Sequence, residues 1–280
     1  MVDPGSPVHS SKHLAGAGQE VGAAVTLKGV SKWFIGRKDQ TQALSGVDLE
    51  VAVGEFVSVI GPSGCGKSTL LRVVGGLVPY ESGTVDVIGT TPAHARRTKQ
   101  LGFTPQTPAL LPWRTVRRNV QFLRELNSRR AVGESLSESE AVALLETVGL
   151  GDFLDSYPNE LSGGMQQRVS LVRGFVLGSP VMLMDEPFSA LDEITRNEMR
   201  YLLLELWART SKTVIFVTHS IPEAVVLADR VLVMAPRPGR VVWTESIELP
   251  RPRDMSIEDD PRYLEHVRRV RNVLHEVSTR

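Results

Sequence analysis

One stretch constrains this chain more than any other: Phe56-Val-Ser-Val-Ile60 running into Gly61-Pro-Ser-Gly-Cys-Gly-Lys67-Ser68. Four of the first five residues are apolar and three of them β-branched, the pattern of a short strand buried on both faces. Lys67 to Val74 then has helical spacing, and Gly75-Gly76 ends it. Strand, glycine-rich loop and helix match G-x-x-x-x-G-K-[ST] in the context that gives the motif meaning. The glycines let successive backbone N–H groups turn inward around phosphates. The helix N-terminus adds partial positive charge. Lys67 is expected on the β- and γ-phosphates, and the Ser68 hydroxyl on Mg²⁺. Cys65 stands where any small side chain would serve, and the fold around such a loop is α/β.

The other half of such a site follows about 120 residues later. Val181-Met-Leu-Met184 reads as a core strand that ends in Asp185-Glu186. An acid at a buried strand end is costly unless it is used. Asp185 is expected to hold Mg²⁺ through water, and Glu186 to orient or deprotonate an attacking water. His219 follows the strand "TVIFVT". At a strand tip, where ligand crevices form in α/β sheets, it is a candidate γ-phosphate contact.

Between these halves the character changes. "VTLKGVSKWF" and "ALSGVDLEVAVGEFVSVIG" alternate as strands, with a turn at Gly54-Glu55, and "SGTVDVIG" and "QLGFTPQ" are further short strands. From about Pro105 to Leu161 the pattern is helical, with a capping box at Ser137 and Glu140. This block reads as an inserted helical lobe. Afterwards the α/β rhythm resumes. Met165, Val169, Val172 and Val176 share one helix face. A helix is expected over Thr195 to Ala208, and Ser220 is an N-cap with Pro222 in the first turn. "RVLVMAPRPGRVVW" is a hairpin, and a charged helix is expected near Arg262 to Val277. Residues 1–22, rich in Gly, Ser, Pro and Ala, read as a flexible tail.

A second anion-binding composition stands in "LSGGMQQR", Leu161 to Arg168. Taken in order, the loop 61–68, Gln106, "LSGGMQQR", "VMLMDEP" (181–187), "SALD" (189–192) and His219 resemble the ABC-transporter ATPase family over roughly residues 23–245. P-loop kinases and GTPases share the first motif but not "LSGG". The resemblance implies a P-loop NTPase with a RecA-like core, an antiparallel β subdomain and an inserted helical subdomain over about 105–162; residues 246–280, beyond it, read as a C-terminal extension that carries the charged helix. It implies ATP held by Gly61, Pro62, Ser63, Gly64, Cys65, Gly66, Lys67, Ser68 and Thr69, and Mg²⁺ held by Ser68, Gln106 and Asp185. It also implies an aromatic ring stacked on adenine, either Phe34 or Trp33. Two chains would pair head to tail. Ser162, the Gly163 and Gly164 amides and Gln166 of one would then close on the ATP of the other, with Asp192 at the seam.

Within the family, "LLPWRTVRRNV" (110–120) and "RPGRVVWTESIELPRPRD" resemble the ATPases of nitrate/sulfonate/taurine-type importers. That implies separate permease subunits, an extracytoplasmic solute-binding protein acting indirectly, and a place on the cytoplasmic face of the inner membrane. Trp113 and Arg114 are candidates for the permease contact; the alternative is a Trp packed inside the lobe and an Arg in solvent. No window approaches the eighteen or so apolar residues that a membrane span needs. Lys plus Arg (32) equals Asp plus Glu (32), which leaves no nucleic-acid footprint in the net charge. The single cysteine excludes an intrachain disulfide and a cysteine-rich metal site. Two other readings are a soluble ABC ATPase acting on ribosomes or DNA, and a nucleotide-gated scaffold that does not hydrolyse. The first usually carries two ATPase domains or a coiled-coil insertion, and neither is seen. Intact Lys67, Glu186 and His219 argue against the second.

Overall fold

In β3 (Phe56–Ile60) every residue is buried, and its neighbours on either side alternate between two apolar clusters. Phe56 and Ile60 face one cluster, Val57 and Val59 the other. Side chains of period two sent into two cores mean that both faces of the sheet are covered. The computed structural model describes residues 22–36, 39–127 and 136–279. The tail expected over 1–22 lies outside them except for Gly22.

The sheet around β3 has six strands, in the order β5 (Leu101–Thr104), β6 (Val181–Asp185), β7 (Thr213–Thr218), β3, β8 (Arg230–Ala235) and β9 (Arg240–Ser246). All pairings are parallel except the β8–β9 hairpin. A second sheet is antiparallel, with β1 (Ala23–Ile35) between β2 (Gln40–Ala52) and β4 (Ser82–Val87). It closes one face of the large sheet together with α1 (Lys67–Val74). The short α2 (Pro92–Arg97) follows β4, with Thr91 as N-cap and Pro92 at its first position. At six residues it is too short to show periodicity in sequence.

The opposite face carries α5 (Gly163–Val176), α6 (Glu193–Thr210), α7 (Ile221–Leu227) and α8 (Pro261–Thr279). α6 starts two residues before the expected Thr195, because Asp192 caps it by accepting from Thr195 N at 3.0 Å. Tyr263, Val267 and Val270 of α8 are buried in the same cluster as α7 and β8. α3 (Val116–Asn127) and α4 (Glu138–Thr147) pack on α5 and form the helical lobe, with Val116, Val120, Leu144 and Leu145 sealed against Val169 and Val172. Ser137 caps α4 reciprocally with Glu140, as the spacing predicts. Among the described residues no helix is long and apolar enough to cross a membrane. Fold class and elements therefore agree with the α/β P-loop reading.

Candidate active site

The site begins where β3 ends. Gly64 (φ +75°) and Gly66 (φ +99°) take left-handed backbone, which glycine adopts without penalty. A Cβ on Gly66 would sit 2.7 Å from the Ala43 carbonyl oxygen, whereas one on Gly64 would meet nothing within 4 Å. The loop is thus pressed against β2 on one side and open on the other. Cys65 points down into the core, and burial pushes its thiol pKa up. That leaves a packing side chain and an inert thiol. Lys67 is buried and curls back over the loop, donating to the Gly61 and Pro62 carbonyls at 2.9 and 3.2 Å.

The acidic end of β6 lies alongside, since β6 and β3 are separated only by β7. Ser68 Oγ donates to Asp185 Oδ1 at 2.7 Å. Glu186 has a left-handed backbone (φ +46°), uncommon for a residue with a long side chain. Its N–H is held by the Val217 carbonyl at 2.9 Å. Its carboxylate lies between two basic side chains, 3.8 Å from Lys67 Nζ and 3.2 Å from His219 Nδ1. A carboxylate fixed beside a phosphate loop can accept a proton from water or orient it.

Lys67, Ser68 and Glu186 open into a cavity of about 460 Å³, with Asp185 and His219 just outside its wall, each bonded to a residue on it. Its walls include Ser63, Gly64, Gly66, Lys67, Ser68, Thr69, Glu186 and Phe34, but not Trp33. Neighbours along a strand point to opposite faces, and the Trp33 backbone N–H donates to Glu81 at 2.7 Å. Phe34 is 44% exposed, with Lys32 Nζ 5.1 Å from its ring centroid. Residues absent from the sequence reading also line the cavity: Thr41, Gln42, Ala43, Arg237 and Gly239. Strand order brings the last two there. β8 runs parallel to β3, so the tip of its hairpin emerges beside the loop. Gly239 lies so close to the Cys65 and Ala43 carbonyls that a Cβ would fall 2.3 and 2.6 Å from them.

Ser68 and Asp185 present adjacent oxygen donors at this edge, the donor set a hard cation takes when water and phosphate complete its shell. Among the described residues no group of three or more His, Cys, Asp or Glu could hold a metal unaided. The pair therefore fits Mg²⁺ bound jointly with a polyphosphate. Gln106 is not on the cavity wall; its Nε2 donates to Ser189 Oγ at 3.0 Å, and Ser189 Oγ donates to the Glu186 carbonyl at 3.0 Å.

The "LSGG" residues stand apart from the cavity, since neither Ser162, Gly163, Gly164 nor Gln166 lines it. Ser162 caps α5, accepting from Met165 N at 3.3 Å. Gly164 faces Thr195 at the start of α6, where a Cβ would come within 3.0 Å of its methyl. Gln166 turns inward and donates to the Pro158 and Leu161 carbonyls at 2.9 and 3.3 Å, so its amide braces the preceding turn. Met165 packs against the apolar core. Asp192 is exposed, and Thr195's N–H and hydroxyl lower its pKa.

In the helical lobe, Trp113 is 70% exposed and not packed inside. Arg114 is not free in solvent either: it pairs with Glu125 at 2.8 Å and lies 4.6 Å over the Phe122 ring. Buried Asn119 pins the loop that carries both, through the Leu111, Arg114 and Thr115 carbonyls and the Leu111 N–H. Beside it, Phe103, Pro105, Ala109, Leu111, Phe122 and Arg173 line a groove of about 300 Å³.

The family model for ABC transporters matches residues 44–189. An uncharacterised ABC transporter ATP-binding protein of Methanocaldococcus jannaschii is 42% identical over 249 residues, 89% of this chain and 90% of that one. A taurine import ATP-binding protein of Jannaschia sp. is 46% identical over 71% of this chain and 73% of its own length. An aliphatic sulfonates import ATP-binding protein of Xanthomonas axonopodis pv. citri is 45% identical over 76% and 83%. Among solved structures, a dimeric post-hydrolysis state of an ATP-binding cassette, bound to ADP and Pi, superposes with a TM-score of 0.69 at 32% identity, covering 81% of this chain and all of that one. With the family model matching over half of the chain and relatives at 42% and 46% identity covering most of it, the chain belongs to the ABC transporter family, among its ATP-binding subunits.

Proposed function

We propose that this chain binds and hydrolyses ATP as the motor of an importer for a small sulfonate-like or related solute. It would work as a head-to-tail pair, docked on separate permease subunits at the cytoplasmic face of the inner membrane. An extracytoplasmic binding protein would act on it only indirectly. The observation that carries the reading is Glu186 on the cavity wall beside the phosphate loop, 3.8 Å from Lys67 and, on its other side, 3.2 Å from His219.

Each residue has a task that its surroundings favour. The loop amides from Ser63 to Thr69 and the Lys67 ammonium receive the phosphates. Phe34 offers its ring to the base from across the cavity. Ser68 and Asp185, with Gln106 from its neighbouring loop, would hold Mg²⁺, which when bound neutralises charge on the phosphates. Glu186 positions water and takes its proton as the hydroxyl oxygen attacks the terminal phosphorus and the bond to the leaving ADP oxygen breaks. His219, on the far side of that carboxylate, keeps it aligned and faces the γ-phosphate. Ser162 and the Gly163 and Gly164 amides would complete the site of the opposite chain, with Asp192 at the seam. Their absence from the wall of their own cavity supports this. Gln166 would serve by holding the turn before them. The groove beside Gln106 and the exposed Trp113 suit an apolar permease segment.

Steady-state phosphate release tests the reading. Lys67→Ala should lower kcat/KM by about 100-fold or more, removing charge stabilisation of the transferred phosphoryl group. Near-normal turnover in that variant would overturn it.

A further inference from the structure

Away from the cavity, one buried carboxylate lies between two loops. Glu223, in the first turn of α7, is 4% exposed. Thr218 Oγ1 donates to its Oε2. The same Thr218 oxygen accepts the Ser220 N–H at 3.0 Å. The carboxylate therefore fixes the turn that carries His219. On its other side, Arg196 Nε lies 3.7 Å from Glu223 Oε1.

Arg196 reaches back from α6 onto the segment leading into that helix. Its Nη2 donates to the Leu191 carbonyl at 2.7 Å and its Nε to the Phe188 carbonyl at 3.4 Å, while Nη1 pairs with Glu193 at 2.9 Å. The segment it grips runs from Glu186 to the cap Asp192 and includes Ser189, the partner of Gln106. Only a planar guanidinium fork can serve two carbonyls and two carboxylates at once. A buried carboxylate without such partners would be strongly destabilising. Arg200, buried one turn further along α6, adds its positive field to Glu223. Neither Arg196 nor Glu223 lines the nucleotide cavity.

We propose that Arg196 and Glu223 form a positioning strut that ties the 187–192 loop to the 218–220 turn. What the two loops do rests on the function proposed above: one lies at the seam with the second chain, the other carries the histidine facing the γ-phosphate. The strut keeps their relative placement, so closure at the seam and alignment of His219 occur together. Asp192 and His219 touch the reaction or the partner; Arg196 and Glu223 act through them.

Hydrogen exchange on the full chain without nucleotide tests the coupling directly. Arg196→Ala should speed exchange about tenfold in residues 217–221, on an element it does not belong to, as well as in 187–192. The isosteric Glu223→Gln should do the same in 187–192, and it decides the matter if Arg196→Ala fails to fold. Exchange that rises only in the altered residue's own element overturns the strut. In turnover, each variant should lower kcat about tenfold with nucleotide affinity, read by a fluorescent ATP analogue, held within about twofold. The double variant should be no worse than the worse single one. Additive losses, or weakened affinity at unchanged kcat, also overturn it. A wild type without turnover would defeat the proposed function, while exchange would still decide the strut.

Discussion

At Lys67 a buried ammonium is held by two loop carbonyls with a carboxylate 3.8 Å away. An ammonium has three N–H donors, and with two given to carbonyls the third is available to an incoming anion. The base end is tested by ring removal. Phe34→Ala should raise the Kd for ATP about tenfold, the loss of one base–aromatic stack, while Trp33→Ala should change it less than about twofold; equilibrium fluorescence titration separates them. Lys67 and Ser68 are legible because the loop motif fixes their spacing, and Asp185 and Glu186 because an apolar strand ends on them; the structure brings the four together. The sequence could not choose between Phe34 and Trp33 without the pairing of β1 with β2. It gave no signal for Arg237 or Gln42, whose places on the cavity wall depend on strand order. For Gln166 an amide beside two glycines reads as an anion ligand, and the sequence gives no sign that the same amide donates to the Pro158 and Leu161 carbonyls.

Elements with an internal rule were readable. β3, β6 and β7 are mostly apolar runs, broken only by Ser58, Asp185 and the terminal Thr213 and Thr218, and their burial on both faces follows. Caps at Ser137 and Ser220 fall where hydroxyl and carboxylate spacing puts them. α2 lacks the two turns that periodicity needs, and only its Thr91-Pro92 start carries a signal. For α8 a stripe was visible but not its partner, which is the α7 and β8 face. Val270 sits at the centre of that contact, so Val270→Ala should cost about 1–3 kcal/mol in urea denaturation. At the α6–β7 junction, Lys212 donates to the Ser179 carbonyl at 2.7 Å, and burial pulls its pKa from 10.5 down to about 8. The unfolded chain therefore binds the proton more tightly than the native one. The resulting penalty is complete below pH 8 and fades as pH rises toward 10.5. Relative to Lys212→Met, the wild type should gain stability between pH 7 and pH 10, measured as a difference in denaturation midpoint.

At the scale of the whole molecule, two anion-binding compositions sit on separate faces. The cavity behind the phosphate loop contains nothing from 161–168. The relative solved with ADP and Pi is a dimer. If the "LSGG" end of α5 completes the opposite chain's site, a bulky cation there should block turnover and spare binding. Ser162→Arg should therefore abolish hydrolysis while the monomer's nucleotide Kd stays within about twofold of wild type. Loss of monomer binding would place Ser162 on its own chain's nucleotide. The proposed pairing of two chains is signalled by the residues themselves only through this apparent redundancy, because a seam between chains leaves no periodicity in one of them.

The most direct test of the composite site uses Glu186→Gln, which keeps the side chain's shape but not its basicity. With saturating ATP and Mg²⁺, light scattering on the eluting protein should show a stable dimer of the variant that reverts to monomer with ADP. A variant that binds ATP yet remains monomeric, alongside a wild type that hydrolyses it, would contradict the account.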